Sequence, residues 1–250
     1  VSEGEVAVSG WQALLEAFRG LAETAGPPGD LSPDEVRFAA AAVHRLSAGL
    51  SGSRGKAGAA YMDDARELAG YLTHWWPANF DITRIVLALA EIPSGRRALD
   101  LGAGPCPAAL ALRAHGFTEV VAVDHAPRAL AVGAEIGRRA GHPVRTLVAD
   151  ATAWPLPLDG PFDVIWLGHT VNEWFKRDED RLERRVATLT RLATLLAPGG
   201  RIVLVEPATH ALNLELLTLR DALVAAGFPV LGPCTRQATC PAIAAGAACH

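Results

Sequence analysis

Apolar positions along the chain fall into two textures that meet near residue 95. Before that point they recur at helical spacing. Residues 11–22 and 33–50 read as amphipathic helices separated by the loop Gly26-Pro27-Pro28-Gly29. The second helix carries its own start signal: Ser32 as N-cap, Pro33 at the first helical position and Glu35 placed to close a capping box. Ser51 to Gly58 is a Gly/Ser-rich linker bearing Arg54 and Lys56, and helices follow over 61–75 and 79–91, interrupted at Pro77 and stopped by Pro93. No strand candidate appears in this region.

After Arg96 short apolar runs alternate with helical stretches. Strands are expected near 97–101, 119–123, 144–148, 162–167, 201–205 and 228–231, with helices at 106–115, 127–139, 179–197 and 210–226. Pro198-Gly199-Gly200 reads as a sharp turn feeding the fifth strand. Alternation of this kind predicts a doubly wound parallel α/β sheet. The domain division is therefore a helical portion over 1–94 and an α/β domain over 95–250.

Two acids give this sheet chemical meaning. Ala98-Leu99-Asp100-Leu101 ends in Gly102-Ala103-Gly104, a buried strand running into a turn where backbone must approach a ligand closely. About twenty residues on, the run Val120-Val121-Ala122-Val123 ends in Asp124, the place of a ribose-binding carboxylate. The third glycine of a dinucleotide fingerprint is Pro107 here, and Pro105 and Pro107 both lack the N–H that a pyrophosphate would seek. A phosphate-free nucleoside ligand, such as S-adenosylmethionine, fits better.

Composition narrows the field. The 250 residues are 50% hydrophobic, enough for a sizeable core, and the net charge is −4. Acids outnumber bases 12 to 7 up to Gly95 and stand at 15 to 16 after it, which argues against coating nucleic acid by bulk electrostatics. Arg177, Arg181, Arg184, Arg185 and Arg191 form one local basic candidate, interleaved with Asp178, Glu179, Asp180 and Glu183 as a solvated helix face would be. With two lysines against many arginines, the coding bias looks bacterial. No membrane span or secretion signal is legible, so a cytoplasmic location is expected.

The chain resembles the class I S-adenosylmethionine-dependent methyltransferases. The resemblance rests on Asp100, the Gly102–Gly104 bend, Asp124, Val148-Ala149-Asp150-Ala151, Asp163-Val164-Ile165-Trp166 and Leu196-Ala197-Pro198-Gly199-Gly200. It implies a Rossmann-like sheet carrying an N-terminal all-helical extension. It also implies that Asp100 lies near the methionine amino group, that Gly102, Ala103 and Gly104 line the cofactor, that Asp124 takes the ribose and that Asp150 receives the adenine amino group. His125, Ala151 and Gly168 complete the implied cofactor set.

Substrate contacts belong after the fourth strand, at Gly168-His169-Thr170-Val171-Asn172-Glu173-Trp174. His169 is a candidate base, and Asn172 and Glu173 are candidate binders of a polar substrate; a loop histidine and helix-capping groups are the alternative roles. No Asn/Asp-Pro-Pro-aromatic segment is present, and the cysteines come one strand too late for cytosine C5 chemistry.

A narrower resemblance, to the Rsm22-like family of small-ribosomal-subunit methyltransferases, rests on Tyr71-Leu72 through Pro77-Ala78-Asn79-Phe80, Val171-Asn172-Glu173, Val205-Glu206-Pro207-Ala208-Thr209 and Gly232 to Pro241 with Cys249-His250. It implies a role on the small ribosomal subunit or its rRNA, as methyltransferase or as a catalytically silent assembly factor. A small-molecule methyltransferase whose helical N-terminus forms a lid lined by Trp75, Trp76 and Phe80 is the competing reading. The resemblance also implies a 4Fe–4S iron–sulfur cluster on Cys234, Cys240 and Cys249 with a fourth cysteine further on, for which His250 and Cys106 are the candidate substitutes; inert thiols are the alternative. A class I sheet closes with a seventh, antiparallel strand; none is legible after 228–231, so the chain is expected to be cut at residue 250.

Overall fold

A computed structural model describes residues 3–49, 61–247 and 249; the expected linker over 51–58 and His250 lie outside them. The helices are α1 (Glu3–Ala22), α2 (Pro33–Ser47), α3 (Ala65–Leu89), α4 (Pro107–His115), α5 (Pro127–Arg139), α6 (Arg181–Ala193), α7 (His210–Ala225) and the short α8 (Pro241–Ala244). The strands are β1 (Arg97–Leu101), β2 (Glu119–Asp124), β3 (Arg145–Val148), β4 (Phe162–Gly168) and β5 (Leu196–Val205). They form one sheet in the order β3-β2-β1-β4-β5, with every pairing parallel. This is the Rossmann-like α/β fold with a helical N-terminal region.

Period-2 alternation sorts the strand side chains into two cores. Ala98, Val120, Ala122, Val164 and Trp166 face a cluster built with α3, α4 and α5. Leu99, Leu101, Val121, Val123, Ile165 and Leu167 face the other side, against α6 and α7. With both faces covered, β1, β2 and β4 read as near-continuous apolar runs.

Three expectations are corrected. Helix α3 runs unbroken through Pro77. Its two halves are held by contacts that outweigh the lost backbone bond: Trp76 is buried and stacks on Phe80, and Asn79 Nδ2 donates to Tyr71 Oη across the proline. Pro198-Gly199-Gly200 is not a turn before β5 but a bulge inside it, since Phe162 pairs with Leu196 while Val164 pairs with Arg201. Residues 228–231 form no strand: Val230 N–H and C=O are both satisfied by the Gln237 side chain, at 3.0 and 2.7 Å.

The capping box of α2 is present as read, and it does more than cap. Ser32 N donates to Glu35 Oε2 at 2.7 Å, and Glu35, only 1% exposed, also accepts from Arg19 Nε at 2.8 Å and from Thr24. The Arg19 guanidinium is the main reason the Glu35 carboxyl is held down to about 2. A depressed carboxyl contributes stability above its unfolded value of about 4.3, lost as pH falls towards the folded value. The melting temperature is therefore expected to fall more steeply between pH ~4.5 and ~2.5 in the wild type than in Glu35→Gln, as thermal scans would show.

Candidate active site

The β1–α4 bend is closed upon itself. Gly102 N and Ala103 N both donate to Val123 O, at 2.8 and 3.0 Å, Gly104 N donates to Asp124 Oδ2 at 2.8 Å, and Cys106 N donates to Ala103 O. Gly102 and Gly104 take positive φ values of 80° and 50°, which their lack of a Cβ permits. Since Pro105 and Pro107 have no N–H, every backbone donor of the turn is occupied internally. No N–H of the bend itself is left over for a phosphate.

Carboxylates dominate what the bend does offer. Asp124 lies at the end of β2, buried, with Oδ1 accepting from Ala126 N at 2.8 Å. Asp100 is buried in β1 and accepts from Ala109 N at 2.9 Å. Burial pushes the Asp100 carboxyl up to about 7, the Ala109 N–H opposes this, and the charge of Asp124 adds to it. Two buried acids favour a cationic, phosphate-free ligand, and the sulfonium and ammonium of S-adenosylmethionine match these acceptors.

A cleft of about 350 Å³, counting the space open to solvent, lies between α3 and the carboxyl ends of β1, β4 and β5. Tyr71, Asn79 and Thr83 form its helical wall, with Asp100, Gly102 and His169 opposite. A 3-10 turn over Tyr61–Asp63 packs nearby, with Met62 beside Ala126 and Ala129 at the start of α5. Trp76 does not line the cleft as a lid residue; its Nε1 donates to Pro105 O at 2.9 Å, locking α3 onto the bend.

His169 follows β4 with φ of 57° and its N–H donating to Val205 O at 2.7 Å. Its Nδ1 is buried without a partner, and burial lowers the ring below its ordinary value. Gly168 lies beside it in the cleft. Asn172 is turned away from the cleft lining and bonds Glu206, while Glu173 pairs with Lys176 at 3.2 Å. Of the three candidate catalytic side chains, the structure brings only His169 into the cleft lining. Asp150 is exposed and caps its own turn through Thr152, next to Ala151, and His125 lies 66% exposed beside Asp124 at 3.4 Å.

A family profile described as "Methyltransferase domain" matches residues 98–200. That segment, running from β1 into β5, is similar to methyltransferase domains. A demethylmenaquinone methyltransferase of Thermus thermophilus is 42% identical over 122 residues, covering 48% of this chain and 50% of that protein. The chain thus spans about half the length of the curated relative it matches. Among solved structures, TrmN from Thermus thermophilus superposes with TM-score 0.42 at 27% identity, covering 53% of this chain and 42% of that one. An S-adenosylmethionine-dependent methyltransferase from Clostridium acetobutylicum gives TM-score 0.43 at 19% identity over 57% and 54% of the two chains.

Around the methyltransferase domain, two other sequence expectations take definite form. Of the arginine patch, Arg185 is buried and Arg184 pairs with Asp178 and lies over the Phe175 ring, whereas Arg177, Arg181 and Arg191 are exposed. Cys234 and Cys249 are exposed and Cys240 half-buried; among the described residues no group of three or more His, Cys, Asp or Glu is arranged to bind a metal ion. Among the described residues the expected cluster ligands do not converge, because Ala238, Cys240 and Cys249 are each bonded to α7. Arg220 donates to Ala238 O, Asp221 accepts from Cys240 N, and Asn213 pairs with the Cys249 backbone. Among the described residues no helix is long and apolar enough to cross a membrane.

Glu206, which bonds Asn172 outside the cleft lining, was signalled only faintly by its sequence position. It follows β5 as Asp124 ends β2, an acid at the carboxyl end of a strand, where ligands and loops meet.

Proposed function

We propose that this chain transfers a methyl group from S-adenosylmethionine to a small-molecule acceptor held between α3 and the strand ends. The observation that carries the cofactor half is the closure of Asp124 onto Gly104, 2.8 Å, in a bend without free phosphate-binding donors. The acceptor half is supported by the 42% identity to a protein named for demethylmenaquinone, and by a helical wall belonging to the same chain.

S-adenosylmethionine, when bound, supplies an electrophilic methyl on a sulfonium. Asp100 holds the ammonium end and Asp124 the ribose, each through acceptor capacity left beyond its backbone bonds. His169, neutral because burial lowers its pKa, offers a ring nitrogen to the acceptor's departing proton. Rate derives mainly from orientation in a water-poor cleft, between the α3 wall and the loop after β4.

Calorimetry with S-adenosylmethionine and S-adenosylhomocysteine tests the cofactor half. Because the charged form of Asp100 is the one that binds an ammonium, affinity is expected to rise with pH up to about 7 and level off above it. Below that value the slope approaches about tenfold per pH unit. Absence of uptake by folded protein would refute the reading. Methyl-labelled cofactor offered with a small-molecule extract and with small-subunit RNA separates the acceptors: label in RNA would return the ribosomal reading.

A further inference from the structure

The loop from His169 to Phe175 is gripped from two sides, by the buried Arg185 and the half-buried Glu206. From α6, Arg185, 4% exposed, donates through Nε to Trp174 O at 3.1 Å and through Nη2 to Asn172 O at 3.0 Å, while Nη1 is paired with Glu215 of α7 at 3.1 Å. From the end of β5, Glu206 accepts from Asn172 N at 3.2 Å and from the Asn172 amide side chain. Cation takes carbonyls, anion takes N–H groups. Both ends of the loop, His169 and Phe175, sit at positive φ, 57° and 54°, conformations that non-glycine residues keep only when their surroundings enforce them.

We infer that Glu206 and Arg185 are positioning residues that clasp this loop and thereby fix the His169 ring in the cleft. The inference rests on the methyltransferase reading above. His169 N is tied to β5 by one bond, to Val205 O, so the ring's aim depends on how residues 170–175 are held. Glu206 makes the clasp sensitive to acid. Burial raises its carboxyl to about 7, against the opposing pull of the Asn172 and Val171 N–H groups and the nearby charge of Arg185. Protonation removes the ionic half of the grip.

The test is amide hydrogen exchange with histidine ring NMR on wild type, Glu206→Gln, Glu206→Asp and Asn172→Ala, each with S-adenosylhomocysteine present and absent. In Glu206→Gln the Asn172 amide is expected to exchange about tenfold faster or more, the loss of roughly one charge-assisted bond. The His169 pKa should return towards its ordinary value as the ring gains water, while S-adenosylhomocysteine uptake is retained. Glu206→Asp, which keeps the charge, should recover part of the protection. Asn172→Ala, which removes only a side-chain arm, should lie between Glu206→Gln and wild type. Unaltered exchange and His169 titration in a folded Glu206→Gln that still binds S-adenosylhomocysteine would overturn the clasp alone. A wild type that takes up no S-adenosylhomocysteine fails the methyltransferase reading and removes the positioning role with it.

Discussion

Asp124→Ala is expected to lower affinity for S-adenosylhomocysteine by about 100-fold or more, some 2.7 kcal/mol, and to destabilise the fold as well. The carboxylate joins two elements: Oδ2 holds Gly104 N in the bend and Oδ1 holds Ala126 N at the entry to α5, both at 2.8 Å. Removing it leaves two buried N–H groups without acceptors, each worth roughly 1–3 kcal/mol, so about 3 kcal/mol of stability should be lost. Asp124→Asn keeps one acceptor and is expected to stay folded while still losing most of the affinity. Calorimetry and denaturant unfolding on the two variants separate the roles. An alanine variant that bound S-adenosylhomocysteine like the wild type would take the ribose contact away from this residue.

The place of Asp124 beside the bend was legible in the sequence because it is set locally. An acid that ends an apolar run, a fixed distance after a glycine bend, needs no tertiary information to be placed. The same holds for the place of Asp100, and for β1, β2 and β4, whose apolar runs supply the two cores the structure builds. What escaped the sequence depended on partners far along the chain. Glu206 meets Asn172 from 34 residues away and Arg185 meets Glu215 from 30; no spacing rule joins them. Pro77 looks like a helix breaker because its cost is local, whereas the anchoring of Trp76 to Pro105 O is tertiary. The apolar run over 228–231 mimics a strand, yet it contains Pro229, and a glutamine side chain seven residues on takes its backbone bonds. Asn172 and Glu173 were singled out for their polarity; in the structure Asn172 bonds Glu206 and Glu173 pairs with Lys176.

The third glycine that the bend lacks is matched by a glycine on the helix packed against it. With Pro107 opening α4, close approach between the bend and its neighbouring helix has to be granted from elsewhere, and Gly133 in α5 grants it. A Cβ built there would lie 2.6 Å from Pro105 C, Pro105 O and Cys106 Sγ. Two of these are backbone atoms, and Pro105 O is already fixed by the Trp76 indole at 2.9 Å, so the neighbour cannot give way. Alanine in a helix interior ordinarily gains up to about 1 kcal/mol over glycine, but overpacking a tight contact costs roughly 1–3 kcal/mol and occasionally more. The clash is expected to win. Gly133→Ala should lose about 2 kcal/mol net, which for a chain of this size means a melting temperature lower by about 4–8 °C. Gly20→Ala makes the contrast, since nothing lies within 4 Å of a Cβ at that position in α1, and it should stabilise by about 0.5–1 kcal/mol. Because the strain in Gly133→Ala falls on the bend itself, its affinity for S-adenosylhomocysteine should drop along with its stability, whereas Gly20→Ala should bind as the wild type does. Thermal scans with and without S-adenosylhomocysteine read both effects, and equal behaviour of the two variants would show that α5 does not press on the bend.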